Sequence, residues 1–241
     1  MTTDASLIRR SIPGNRVLLA QYLSYLMATD RMPIAEGIAR DLSLQATNAE
    51  RSQLLSFCDK SIAKGAVASA LSVWNTMCER KLLPFAALHP QEGISLTNGD
   101  FAAPLLTGGF NWVVSTAPEI ERSNIPGGIA FALSGIQPPD LELVSQYLPV
   151  LPTRRYVLHF QYRSSASSMR GIGWTAATTQ RPETSFQELT SDNDDWHEGA
   201  YPFGPAGTSL CRLALKAVRL TGNTRPEGRF SLRSVRLELA P

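Results

Sequence analysis

The sequence has few cysteines, a low share of charged residues and no long apolar run. Its three cysteines, Cys58, Cys78 and Cys211, are too few and too scattered for a disulfide framework or a zinc site. The chain has no run of about 18 apolar residues, so we expect no membrane span. Its 43% hydrophobic and 18% charged composition excludes a wholly disordered chain. These absences favour a globular protein without redox chemistry.

Neither half of the sequence has the dense cluster of basic residues that a nucleic-acid-binding surface needs. Through His89 the sequence holds ten Lys plus Arg and seven Asp plus Glu, and the remainder holds thirteen and fourteen. Adjacent basic residues occur only as the isolated pairs 9–10, 80–81 and 154–155. Nucleic-acid affinity depends on dense neutralisation of phosphates, so we expect no nucleic-acid partner.

The first residues, Met-Thr-Thr-Asp-Ala-Ser, lack the basic and then apolar layout of a signal peptide. A cytoplasmic protein and a protein whose leader has been removed both fit this observation. The compartment therefore stays open.

Apolar residues recur with a helical period before Pro84. Spacings of three and four residues place them on single stripes and predict four helices. Pro33 suits a first helical position, and Gly65 separates the last two helices. The stripes contain Leu19, Tyr22, Leu23 and Leu26; Ile34, Ile38 and Leu42; Leu54, Leu55, Cys58 and Ile62; and Val67, Ala70, Leu71, Trp74, Met77 and Cys78.

The four helices read as two copies of one unit. A shift of about 32 residues lays residues 22–26 on residues 54–58, which is close to the period of about 34 of tetratricopeptide repeats. This region resembles degenerate repeats of that family, which implies two αα-hairpins and a protein partner bound through the helices. Such hairpins need about three repeats to bury a continuous core. We expect the two hairpins to dock onto the rest of the chain; membership of a longer array is the alternative.

From Gly93 onward the apolar period is two. Tyr156, Leu158, Phe160 and Tyr162 recur at every second position, and large apolar residues also alternate with small or polar ones around residues 129–133, 213–217 and 235–239. Clusters of Gly, Pro and Asn separate these runs. The sequence therefore predicts an α+β chain with segregated domains: a helical region over residues 1–88 and an antiparallel β-sandwich over residues 91–241.

Several short motifs occur in a fixed order in the β region. They are Leu-Thr-Asn-Gly-Asp-Phe at 96–101, Gly-Phe-Asn-Trp at 109–112, Gln-Tyr-Leu-Pro at 146–149, Tyr-Val-Leu-His-Phe at 156–160 and Gly-Arg-Phe-Ser-Leu-Arg-Ser-Val at 228–235. With these motifs, residues 93–240 as a whole resemble bacterial jelly-roll carbohydrate-binding modules. The resemblance implies a jelly roll that opens with an Asn-Gly-x-Phe strand and binds carbohydrate on its concave face.

The closing strand departs from that family. Many such modules carry a pair of aspartates before the valine, where a carboxylate helps to hold a structural calcium ion. Arg233 and Ser234 stand in that place here, and an arginine repels a cation. Asn98 and Asp100 offer too few oxygens for the six to eight ligands of Ca²⁺. We therefore expect no metal and no cofactor.

The strand around residue 160 supplies the candidate binding site. If its aromatic face is buried, the opposite face presents His159, Gln161 and Arg163 at spacings of about 7 Å. These groups can hydrogen-bond to sugar hydroxyls, and Trp196 is a candidate for stacking on a sugar ring. The alternative is a solvated face or one covered by the helices. Alternation with apolar neighbours places Trp112 and Trp174 in the core.

Catalytic motifs are absent. The serine-rich residues 164–168 lack a Gly-x-Ser-x-Gly elbow, and His197-Glu198 has no second histidine at zinc-protease spacing. Residues 192–198 also lack the pattern of a calcium loop, so we expect a solvated loop. The leading hypothesis is a non-catalytic protein that binds carbohydrate through the sandwich. The alternative is a protein-interaction scaffold, and a glycosidase-like enzyme ranks below both.

Overall fold

A computed structural model describes residues 15–106, 108–165, 169–178, 186–191, 193–205 and 207–240. The chain divides after Ala87 into two compact units. The first unit is helical and the second is built from β-strands. None of the helices in the described ranges is long and apolar enough to cross a bilayer.

The first unit contains the four predicted helices. They are α1 (Arg16–Ala28), α2 (Met32–Ser43), α3 (Arg51–Ala63) and α4 (Val67–Glu79). Helix α1 packs on α2 and α3 packs on α4, so both predicted αα-hairpins are present. The predicted stripes face inward, with Leu23, Leu54 and Trp74 fully buried. Four helices do not by themselves define a tetratricopeptide array, so that resemblance stays a prediction, as does docking.

The second unit is the predicted antiparallel sandwich of two five-stranded sheets. The first sheet has the order β1-β4-β9-β6-β7 and the second has the order β2-β3-β10-β5-β8. The strands are β1 (Val113–Val114), β2 (Ile120–Ile125), β3 (Gly128–Ser134), β4 (Asp140–Pro149), β5 (Tyr156–Ser164), β6 (Ile172–Ala177), β7 (Gln187–Glu188), β8 (His197–Phe203), β9 (Leu210–Val218) and β10 (Glu227–Leu239).

The order of the strands gives a jelly roll. Every pairing is antiparallel, and the chain passes from one sheet to the other at most connections from β4 onward. Alternate residues of each strand fill the space between the sheets. Tyr156, Leu158 and Phe160 of β5 are buried there, as are Trp112 and Trp174, so the predicted inward faces are confirmed.

Two local expectations are wrong. Residues 96–101 form no strand, because Asn98 and Phe101 adopt positive φ angles of 50° and 54° that interrupt an extended chain. The predicted solvated loop at residues 192–198 ends early, because β8 begins at His197 and pairs with β5. Gly199 takes an inward position of β8 and hides the apolar alternation there. Asp192 lies outside the described residues.

Candidate functional site

A groove lies on the outer face of the second sheet, along strands β5, β8 and β10. Its volume is about 460 Å³, within the range of about 300–1,000 Å³ that is usual for ligand sites. Side chains on β5 alternate, so burial of Phe160 directs its neighbours His159 and Gln161 outward. The residues that line the groove are His159, Phe160, Gln161, Glu198, Gly199, Ala200, Ser234 and Arg236.

A β-bulge in β10 shapes the other side of the groove. Arg233 pairs with Gln161 and Arg236 pairs with His159, so three steps on β10 face two steps on β5. Ser234 absorbs the extra residue with a φ of 54°. As a result both arginines project from the outer face, while Val235 between them is buried.

The backbone around residue 99 supports the bulge. The amide nitrogen of Val235 donates to the carbonyl oxygen of Gly99 at 2.8 Å. A Cβ atom added at Gly99 would overlap the carbonyl oxygen of Val235, so only glycine lets the two segments approach this closely. The Asn-Gly motif of the sequence is therefore a structural support of the bulge.

Trp196 forms an aromatic platform beside the groove. The guanidinium carbon of Arg233 lies 3.9 Å from the centre of the Trp196 ring, and that of Arg163 lies 5.2 Å away. The Nε of Arg233 donates to Oε1 of Gln161 at 2.8 Å. Stacking and hydrogen bonding together fix the Arg233 side chain, and Trp196 stays partly exposed.

The four predicted site residues thus lie on one face of the sheet, but only two of them line the groove. His159 and Gln161 line the groove, whereas Arg163 and Trp196 lie next to it. Sequence reasoning missed Arg233, Arg236 and Glu198 as parts of this surface. A signal for the two arginines was present, because the apolar alternation shifts by one residue between Leu232 and Val235.

The charges on this face are unevenly compensated. Arg163 lies 3.6 Å from Asp194, and His159 lies 3.5 Å from Glu238. Gln161 donates to the Glu198 carboxylate at 3.3 Å. Within the described part of the chain, Arg233 and Arg236 make no ion pair with a carboxylate.

A second polar cluster contains Ser191, Asn193 and His197. The Nε2 atom of His197 lies 2.9 Å from both Ser191 Oγ and Asn193 Oδ1. The amide oxygen can only accept, so this nitrogen carries a proton and cannot take one from serine. The Ser191 hydroxyl donates to the backbone oxygen of Asn193. The cluster stabilises the loop before β8 and lacks the arrangement of a serine nucleophile with its base.

The oxygens expected beside a calcium ion serve the loop instead. Asn98 Oδ1 accepts from the amide of Ala103 at 3.0 Å, and Asp100 Oδ1 accepts from the amide of Ala102 at 3.1 Å. Among the described residues, no three His, Cys, Asp or Glu side chains lie together as metal ligands would. Both side-chain oxygens therefore stabilise the loop through its own backbone amides.

Three of the motifs behind the family resemblance, those at 96–101, 109–112 and 146–149, are joined by a buried hydrogen-bond network. Gln146 Nε2 donates to Thr97 Oγ1 at 2.7 Å and to the Phe110 oxygen at 2.9 Å, and Trp112 Nε1 donates to the Asn98 oxygen at 3.1 Å. These residues hold the segment before β1 against β4. Their role in this chain is structural, and none of these residues lines the groove on the second sheet.

Comparisons with known proteins give distant structural likenesses. A CBM4 structure is 13% identical over 61% of this chain and 100% of its own, with a TM-score of 0.47. TmCBM61 in complex with β-1,4-galactotriose is 13% identical over 61% of this chain and 98% of its own, with a TM-score of 0.43. The enzymatically active domain of bacteriophage CBA120 tailspike protein 4 is 10% identical over 61% of this chain, which covers 21% of that chain, with a TM-score of 0.40. No family model and no curated protein matches the sequence.

Proposed function

We propose that the sandwich is a non-catalytic module that binds carbohydrate in the groove on the outer face of its second sheet. The observation that carries the proposal is the convergence of His159 and Gln161 with a partly exposed tryptophan at one surface. Sugar recognition needs planar polar groups for the hydroxyls and a flat apolar surface for the ring. β5 supplies the polar groups, and Trp196, which directly precedes β8, supplies the apolar surface beside them.

The affinity should be weak. The groove is open, and a hydrogen bond contributes only about 0.5–1.5 kcal/mol when it replaces bonds to water. We therefore expect dissociation constants between about 1 μM and 1 mM.

Intrinsic fluorescence offers a direct test, because only one of the four tryptophans is exposed. Trp74, Trp112 and Trp174 are at most 1% exposed, and Trp196 is partly exposed. A bound glycan should shift the emission of the full chain and protect Trp196 from acrylamide quenching. The change should vanish in Trp196→Phe.

Affinity electrophoresis with a panel of soluble polysaccharides identifies the retained glycans. Gln161→Ala should lose retention, because that side chain lines the groove and orients Arg233. Gln91→Ala is the matched control, since Gln91 is exposed in the short 3₁₀ helix Pro90–Glu92 and does not line the groove. The scaffold alternative requires that no glycan is retained through these residues, and that result would overturn the proposal.

A further inference from the structure

We infer that the groove recognises the carboxylate of an acidic sugar, which deepens the proposed carbohydrate binding and rests on it. The observation is that Arg233 and Arg236 face outward together and have no acidic partner in the described part of the chain. A neutral glycan has no anionic group that could pair with these two guanidinium groups. A uronate carries a carboxylate that can form such an ion pair.

The bulge in β10 makes the pair of arginines possible. Their partners on β5, Gln161 and His159, are two residues apart, which separates the two attachment points by about 7 Å. A regular strand would turn one of two side chains three residues apart toward the core. The extra residue at Ser234 keeps both on the outer face, as bulges at binding sites do when they re-aim a side chain.

The two arginine side chains differ in how firmly they are held and in how exposed they are. Arg233 is fixed by Gln161 and Trp196, and no carboxylate among the described residues forms an ion pair with it. Arg236 is exposed and lines the groove itself. A planar guanidinium matches a carboxylate with two parallel hydrogen bonds, which an ammonium group cannot form.

None of the described carboxylates nearby forms an ion pair with Arg233 or Arg236. Glu198 lines the far wall and accepts from Gln161, Asp194 lies by Arg163, and Glu238 lies by His159. Each of the three therefore has a polar or basic neighbour that is neither Arg233 nor Arg236. The arrangement favours a ligand with one carboxylate per sugar at the β10 side and neutral hydroxyls at the β8 side.

The test compares polygalacturonate with its fully methyl-esterified form, which has the same sugars without the charge. We expect the full chain to bind the acid form at least about tenfold more tightly, as judged by Trp196 fluorescence titration. Arg236→Gln should remove that preference, and Arg236→Lys should restore only part of it. Arg122→Gln is the control, because Arg122 is exposed on β2 at the opposite edge of the same sheet.

The other outcomes separate this inference from the proposed function. Equal binding of both forms, lost in Gln161→Ala, would leave carbohydrate binding standing and overturn carboxylate recognition. Equal weakening by Arg122→Gln and Arg236→Gln would show general charge attraction, which also overturns it. Binding of dextran sulfate alone would assign the site to sulfate esters instead. Absence of any groove-dependent binding across the neutral and acidic polymers would overturn both.

Discussion

On the outer face of the first sheet, Arg212 donates to both carboxylate oxygens of Glu142 and to the Ser145 hydroxyl. Lys216, on the same face, lies 3.3 Å from Asp140 and is almost fully buried. On the outer face of the second sheet, the arginines that flank the bulge have no carboxylate partner in the described ranges. Both faces carry strongly charged residues, so charge alone does not mark a site. What distinguishes the second face is arginine charge that no described carboxylate pairs with.

The largest expected effect concerns the buried side of the second sheet. Phe160→Ala should lower the free energy of unfolding by about 3–5 kcal/mol, because the ring is buried and packs 5.5 Å from the Trp174 ring. Urea denaturation measures the change. Wild-type stability of this variant would mean that the two faces of β5 have been exchanged.

Gly199→Ala should cost less, about 1–3 kcal/mol. Gly199 pairs with Phe160 across β8 and β5, and an added Cβ would overlap the Phe160 ring. In the double variant Phe160→Ala/Gly199→Ala the ring is absent, so the two losses should not add. Full additivity in a double-mutant cycle would show that the ring is not what excludes a side chain at residue 199.

The ion pair of the first sheet should appear in the acid dependence of stability. Burial raises the pKa of Glu142, but the hydrogen bonds and the charge of Arg212 lower it by a larger amount. The pKa of Glu142 therefore lies below the ordinary 4.5. A lowered carboxyl pKa stabilises the fold above the unfolded-state value, and this contribution disappears as the pH falls through the folded-state value. Glu142→Gln should therefore flatten the loss of stability below about pH 4.5.

The expected size is at most about 1 kcal/mol, since both side chains are about one-third exposed. Unfolding curves from pH 7 to pH 3 give the measurement. Some acid dependence should remain in Glu142→Gln, because Arg170 also lowers the pKa of Glu188. An unchanged pH profile in Glu142→Gln would show that the ion pair between Glu142 and Arg212 does not stabilise the fold.

The inward faces were predictable because burial leaves a direct mark on the sequence. Leu158 and Phe160 must be apolar, and so must the matching positions of β3, β9 and β10. The same alternation predicted that His159, Gln161 and Arg163 share one outward face. The helices were predictable for the same reason, with a period near 3.6 instead of two.

The rest of the site depends on contacts between distant segments, which a local pattern does not encode. Trp196 precedes β8 and meets Arg233 of β10 only because both strands flank β5 in the folded sheet. The strand β8 itself was missed, since Gly199 removes one apolar position from its alternation. The family resemblance predicted a strand at residues 96–101, because the motif does not reveal the positive φ angles of Asn98 and Phe101. The segment is instead a loop that supports the bulge at Val235.

The smallest expected effect comes from replacing arginine by glutamine on each of the two outer faces and comparing the losses of stability. Arg236→Gln should change the free energy of unfolding by no more than about 0.5 kcal/mol, because the side chain is exposed and no described carboxylate depends on it. Arg212→Gln should cost more, since it leaves the half-buried Glu142 without its cation. Paired urea titrations at pH 7 compare the two variants directly. If Arg236→Gln proves as costly as Arg212→Gln, the charges of the second face serve the fold, and the distinction between a structural and an available face fails.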